Sequence, residues 1–308
     1  VYKRQGCMLT HSITLYLATV LIWGSTFFAI KFQLGDVPEM WSITYRFGLA
    51  ALLLWFWCLW RKLPLRFSRR QHGWMALQGL FLFCLNYLLI YLATSDLTSG
   101  LIAVVFSSIV LMNILNGALF FGRPIEMKTL LGALLGILGI AFVFWPELAG
   151  LESNGSAFWG LVLSIAGTYI ASLGNMLSSK NQQQQLPVVQ GNVFGMTYGA
   201  AMMAVFALVQ GIMPVFDTSL QFNLSLLYLS LFGSVLAFGA YLTLVGRIGP
   251  AKAAYTMVLF PIVALGISTL FENYHWSWFA LIGVSIVALG NVIILLPTAQ
   301  LKRLLKLS

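Results

Sequence analysis

Charge is what this sequence has least of: 8% of its 308 residues are Asp, Glu, Lys or Arg, against 60% hydrophobic. A soluble domain carries roughly three times that share. No polar shell can then be assembled around a core, which excludes a water-soluble fold. Acids are rarer still, eight in all, and none falls near the middle of an apolar run. A proton relay through a buried carboxylate therefore has no candidate. Coupling would need Glu272, a histidine, or simple exchange. Cys7, Cys58 and Cys84 show no CxxC or metal spacing and read as small hydrophobes. The three histidines, His11, His72 and His275, lie in flanks or loops. An HExxH, paired intramembrane aspartates and a Ser–His couple are all missing, so a membrane-embedded enzyme has no catalytic constellation. No cofactor or metal is implied.

What is present is long apolar segments. Crossing about 30 Å of hydrocarbon takes about 20 helical residues, and ten such runs can be placed. They are Ile13–Ile30, Trp41–Trp60, Trp74–Thr94, Gly100–Phe121, Thr129–Trp145, Phe158–Leu177, Val188–Val209, Leu224–Val245, Ala253–Phe271 and Trp276–Leu296. They are about twice the length a membrane strand needs and do not alternate. The predicted fold is an all-α integral membrane protein of ten transmembrane helices.

The sorting of charge supports that count. With a cytoplasmic N-terminus, fifteen of the seventeen cations fall in inner segments, including Arg61, Lys62, Arg66, Arg69, Arg70, Arg123, Lys128, Lys180 and Arg247. Seven of the eight acids, Glu272 among them, fall outside. Positive charge sets orientation, so both termini are expected in the cytoplasm. The net charge of +9 is then explained by topology and anionic lipid, with no call on nucleic acid.

Five crossings on each side of the loop Pro146–Ser156 insert the two halves from opposite faces. Any likeness between them marks an inverted repeat. Trp23–Lys31 (WGSTFFAIK) shifts by 149 positions onto Ser172–Lys180 (SLGNMLSSK), which places Thr19 on Thr168, Thr26 on Asn175 and Lys31 on Lys180. The last run of each half spaces two glycines seven apart, Gly132 with Gly139 and Gly283 with Gly290. The expected repeats are 8–150 and 155–300. Residues 1–7, ahead of Met8, are expected to be a leader outside the fold, and 301–308 a basic cytoplasmic tail.

Trp23-Gly24-Ser25 in the first run, Arg46 early in the second, Pro250, Ala251, Ala253 and Ala254 opening the ninth, Pro261 within it and Glu272 after it together resemble the drug/metabolite transporter superfamily, in its EamA branch. The resemblance covers the chain from about Met8. Two departures stand out: Gly122-Arg123 where the family often has Gly-Glu, and Ser107-Ser108 in the fourth run with no proline matching Pro261. The resemblance implies a secondary transporter of the inner (plasma) membrane that exports small organic metabolites, neutral or aromatic amino acids foremost. Sugar phosphates or nucleotide sugars, carried by relatives, would ask for more than one buried cation. Lipophilic cations, as drugs often are, would favour a buried acid. A receptor or scaffold has little surface outside the membrane on which to work.

Several polar groups sit at membrane depth. Ser164, Thr168, Ser172, Asn175 and Ser179 recur every three or four residues and form one stripe. It serves either helix packing or, with Thr19, Trp23 and Thr26, a central pathway. Asn86, Asn113 and Asn116 each require a protein, water or ligand partner. Ser234, Tyr241 and Tyr255 populate the second half, and Tyr91 and Tyr169 adjoin small polar residues. The tryptophans at run ends, Trp41, Trp57, Trp60, Trp74, Trp276 and Trp278, read as interfacial anchors. Arg46 lies about 8 Å from the outer end of its helix. It either snorkels to the interface or bonds broken-helix carbonyls, or it holds a substrate carboxylate or gates the outer mouth. Pro261 is either a hinge or a static kink.

Overall fold

The computed structural model describes the backbone of residues 2–122, 124–125, 127–143, 145, 155–248, 253 and 256–295, with side chains from 14 onward at most of these. Tyr255, Arg123, Pro250, Ala251, Ala254, most of the loop between the halves and the tail 301–308 lie outside the described residues. Among the described residues all regular structure is helical. The first half contains α1 (Tyr2–Lys31), α2 (Glu39–Trp60), α3 (Arg69–Gly79), α4 (Asn86–Thr94), α5 (Ser99–Phe106), α6 (Ile109–Phe121) and α7 (Met127–Val143). The second contains α8 (Gly155–Gln183), α9 (Val188–Val209), α10 (Leu220–Tyr228), α11 (Ala237–Ile248), α12 (Thr256–Phe271) and α13 (Trp278–Leu295). Helix α1 runs back to Tyr2, through the segment expected to be a separate leader.

Seven helical spans of the described residues are long and apolar enough to cross a membrane. Two of these join several elements: Arg69–Thr94 links α3 to α4 through a π-helical segment, Leu80–Leu85, and Leu220–Arg247 links α10 to α11 through another, Leu229–Leu236. Three shorter apolar stretches, Leu134–Val143, Phe260–Phe271 and Trp278–Gly290, lie within the remaining runs and are shorter than the seven. Leu52, Phe56, Leu119, Ile137 and Val205 are exposed on the outside of the bundle, where only lipid tails would make their company favourable.

Local chemistry sets the ends. Pro38 and Pro187 precede α2 and α9 with nearly the same backbone angles, and both helices are 22 residues long. Each is closed by a residue in the left-handed region, Lys62 (φ 49°) and Gly211 (φ 73°). The glycine takes that conformation freely, whereas the lysine carries about 1 kcal/mol of strain or more. Ser68 and Gln71 form a capping box on α3, Thr98 caps α5, and Ser219 caps α10. The Pro start, the left-handed stop and the start of the π segment each recur 149 residues on.

Related helices pack antiparallel. At one end of α2, the Trp41 indole donates to Ile212 O beyond the C-terminus of α9 (3.0 Å). Toward the other end, the Trp55 indole donates to Thr197 Oγ1 early in α9 (3.1 Å). Trp41 is thus 7% exposed and ties two helices together, where an interfacial anchor was expected, while Trp60 (65%) and Trp278 (79%) are exposed as anchors would be. Helices α7 and α13 cross on their glycines. A Cβ on Gly283 would lie 2.6 Å from Gly139 O, and one on Gly290 would lie 2.7 Å from Gly132 O. Side-chain-free surfaces let the backbones touch, a membrane substitute for the missing hydrophobic drive.

Candidate functional site

The helices leave a central cavity of about 40 Å³, room for roughly three waters. From α1 come Trp23, Thr26, Phe27 and Ile30, spaced i, i+3, i+4, i+7 along one face. The first π segment and α4 supply Leu82, Asn86, Tyr87 and Ile90. Phe106 and Ile109 flank the break between α5 and α6, Ala171 and Asn175 come from α8, Phe238 and Tyr241 from α11, and Met257 and Phe260 from α12. The rings interlock: Phe27 stacks on Phe260 (5.5 Å) and meets Phe106 edge-on (5.8 Å), while Trp23 contacts Phe238 and Tyr241 at 5.0 Å. An amino acid cannot enter until some of these aromatics move.

Polar groups reach this cavity from three directions. Asn175 Nδ2 bonds Tyr241 Oη (3.4 Å) and Asn113 Oδ1 (3.5 Å), and Asn116 Nδ2 donates to Ser172 Oγ (2.9 Å). Asn86 Nδ2 donates to Leu82 O, while its buried Oδ1 has no partner, nor does Asn113 Nδ2. The Trp23 indole donates to Gly233 O (3.1 Å), a carbonyl within the second π segment, where a wide turn leaves backbone groups to outside partners.

Arg46 lies behind Tyr87 and is fully buried, so it does not snorkel. Its Nε donates to Ser234 Oγ (3.0 Å), and its Nη atoms are 3.4 and 3.5 Å from Tyr87 Oη and Tyr91 Oη. The guanidinium sits 4.5 Å from the centre of the Tyr87 ring and 5.2 Å from that of Phe47. A Cβ at Gly233 would come within 3.2 Å of Nη2, so glycine keeps that room open. Among the described residues no carboxylate pairs with this cation.

Both ends of the central column are tied. At one, Lys31 Nζ meets Glu272 at 2.8 Å. Glu272 also accepts from the Ser99 N–H at the start of α5 and from the Ser99 and Ser268 hydroxyls, and Ser268 Oγ accepts from Gly100 N (2.8 Å). Burial pushes the Glu272 carboxyl upward, but the bonds from Lys31, Ser268 and Ser99 outweigh it and hold the group below its ordinary value. At the other end the tie is neutral: Asn181 Nδ2 to Gln78 Oε1 (2.8 Å) and Gln182 Nε2 to Leu242 O (3.2 Å).

Of the residues singled out by sequence, Trp23, Thr26, Asn86, Asn175 and Tyr241 line the cavity. Arg46, Tyr91 and Ser234 form the cluster behind it, and Asn113, Asn116 and Ser172 the amide network beside it. Thr19 and Thr168 turn their hydroxyls back to Leu15 O and Ser164 O and close their own helices. Tyr169 is 45% exposed on the outside of the bundle, away from the cavity. Pro261 lies buried inside α12. Opposite it, the fourth run breaks without proline: α5 ends at Phe106, Ser107 bonds Val104 O, and α6 restarts at Ile109. Phe27, Phe238 and Phe260 were not singled out. The helical spacing on α1 could have found Phe27, but no sequence signal separates Phe238 from lipid-facing phenylalanines.

Two segments, 10–145 and 158–296, match the EamA-like transporter family. The chain belongs to that family and is a membrane transporter, not an enzyme. It is 28% identical over 256 residues, 82% of this chain and 80% of the relative, to the "Uncharacterized inner membrane transporter YedA" of Escherichia coli K12. It is 25% identical over 296 residues, covering 90% and 92%, to the "Probable amino-acid metabolite efflux pump" of the same strain. A solved structure described only as "Crystal structure of protein" matches with a TM-score of 0.68 at 17% identity, over 96% of this chain and 99% of that one, which shows the fold alone. The relatives place a protein with these long apolar helices in the inner membrane.

Proposed function

We propose that this transporter exports amino acids or related amphipathic carboxylates by alternating access. Two inverted five-helix units, 8–150 and 155–300, enclose the path, in ten spans with both termini cytoplasmic. The observation that carries the substrate class is Arg46, a buried guanidinium with hydroxyl and ring partners but no carboxylate among the described residues. Its planar fork suits a carboxylate. Displacing the Tyr87 ring connects it to the cavity, whose lone Asn86 Oδ1 offers an acceptor to the substrate ammonium. The aromatic walls receive an apolar side chain. Exposure alternates as the Lys31–Glu272 tie and the Gln78–Asn181 tie open in turn. The break at Ser107-Ser108 and the bond that Pro261 cannot donate to Met257 O supply the bending points.

Counterflow of labelled amino acids into proteoliposomes, with and without a proton gradient, tests this reading. Neutral or aromatic amino acids are expected to exchange. Uptake confined to sugar phosphates or lipophilic cations would sink it.

A further inference from the structure

A second space opens on the flank of the bundle. Helices α3, α6 and α8 bound a crevice of about 570 Å³, well within the size of ligand sites. Leu77, Phe81, Phe120, Leu173 and Leu177 wall it, and its rim carries Trp74, Lys180 and Gln184. The ammonium of Lys180 lies 3.9 Å from the centre of the Trp74 ring and has no carboxylate partner among the described residues.

The internal repeat makes that lack informative. Lys180 stands 149 residues after Lys31, whose ammonium is neutralised by Glu272. The residue 149 before Glu272 is Arg123, a cation. The second half thus supplies an anion to the lysine of one end, while at the equivalent position in the first half, where the lysine of the other end would need an acid, the sequence has a second positive charge. This is also the basic end of the bundle: Trp74 follows Arg69 and Arg70 at the start of α3.

We propose that this crevice binds an anionic phospholipid of the cytoplasmic leaflet, its phosphate at Lys180 and one acyl chain along the leucine and phenylalanine walls. Moving a chain from bilayer to crevice exchanges hydrocarbon for hydrocarbon, so it favours no lipid over another. Discrimination rests on the headgroup. One lysine near the charged surface gives about a fivefold preference for the anionic lipid, equivalent to about 1 kcal/mol.

The full-length protein, delipidated in nonionic detergent, is titrated with phosphatidylglycerol and with phosphatidylcholine of the same chains, and bound lipid is counted by native mass spectrometry. Phosphatidylglycerol is expected to bind about fivefold tighter. Lys180→Gln should abolish the preference, while Arg66→Gln, which removes an exposed cation elsewhere at this end, leaves it intact. Leu173→Trp, which fills the crevice without touching charge, should lower retention of both lipids and serves if Lys180→Gln does not fold. The proposal is overturned if wild type shows no preference, if Arg66→Gln loses as much as Lys180→Gln, or if millimolar inorganic phosphate displaces the lipid. The measurement involves no transport, so its failure leaves the proposed substrate class standing.

Discussion

Replacing Arg46 by Met separates a structural arginine from a substrate-binding one. Three terms decide its effect on stability. The bond from Nε to Ser234 Oγ at 3.0 Å is charge-assisted and contributes about 1.5–3 kcal/mol. The Tyr87 ring at 4.5 Å adds about 1–2 kcal/mol. The tyrosine hydroxyls at 3.4 and 3.5 Å are too long to add much. Against these stands the desolvation of a buried cation without a carboxylate, several kcal/mol. A methionine of similar length removes all three, and the balance closes to within about 2 kcal/mol. The Tm in detergent should therefore move by no more than about 5 °C. Transport should respond differently. Losing a charged fork from a bound carboxylate costs about 2–4 kcal/mol, or about 30- to 1000-fold in the amino-acid counterflow rate. Arg46→Lys, which keeps charge but not the fork, should fall between the two. Counterflow at the wild-type rate in Arg46→Met, or a Tm lowered by more than about 10 °C, would refute the reasoning.

Other outcomes follow from the same geometry. Gly283→Ala places a methyl 2.6 Å from Gly139 O and from the Val143 backbone N and should destabilise the α7–α13 contact by about 1–3 kcal/mol; an unchanged detergent melt contradicts the crossing. Glu272 titrates below its ordinary 4.5, so the stability it lends is complete above that value and is lost as pH falls through the depressed one. Labelling of a cysteine placed at Leu97 should accelerate only in that acid window, and Glu272→Gln should abolish the pH step; a step persisting in Glu272→Gln assigns it elsewhere. Asn175→Ala removes a cavity donor and should slow transport about tenfold or more, while Tyr169→Ala on the outer surface should leave transport unchanged; equal effects in both would deny the cavity its role. A cysteine at Arg66 should be labelled only from the cytoplasm, and labelling from outside overturns the orientation.

Much of the scaffold was legible in one dimension. The run Val188–Val209 coincides with α9, and Trp41–Trp60 differs from α2 only by the two residues that follow Pro38. Their lengths are imposed by the bilayer and their starts by proline, both local signals. The glycine pairs at 132, 139, 283 and 290 were visible as a spacing before they became a crossing. The candidate site was legible where spacing and polarity coincide, as at Trp23, Thr26 and Asn175. It was not legible where a residue's role depends on which neighbour it meets. Tyr169 follows Thr168 by one position and therefore projects about 100° away around the helix, out of the bundle. Trp41 resembles every other run-end tryptophan until α9 brings Ile212 O within reach.

Composition, periodicity and charge placement by themselves determined a helical membrane protein built on an internal repeat, because each is a property of the chain in its solvent and requires no knowledge of contacts. Tertiary structure alone decided that Arg46 stays inside, that Lys31 has an acid and Lys180 an indole, and that the central cavity is closed by phenylalanines. The reason is that lipid tails and apolar side chains are nearly equal company for a helix face. Hydropathy reads how long a helix is but not what it touches, and only close packing of small residues and the pairing of costly polar groups fixes which faces meet.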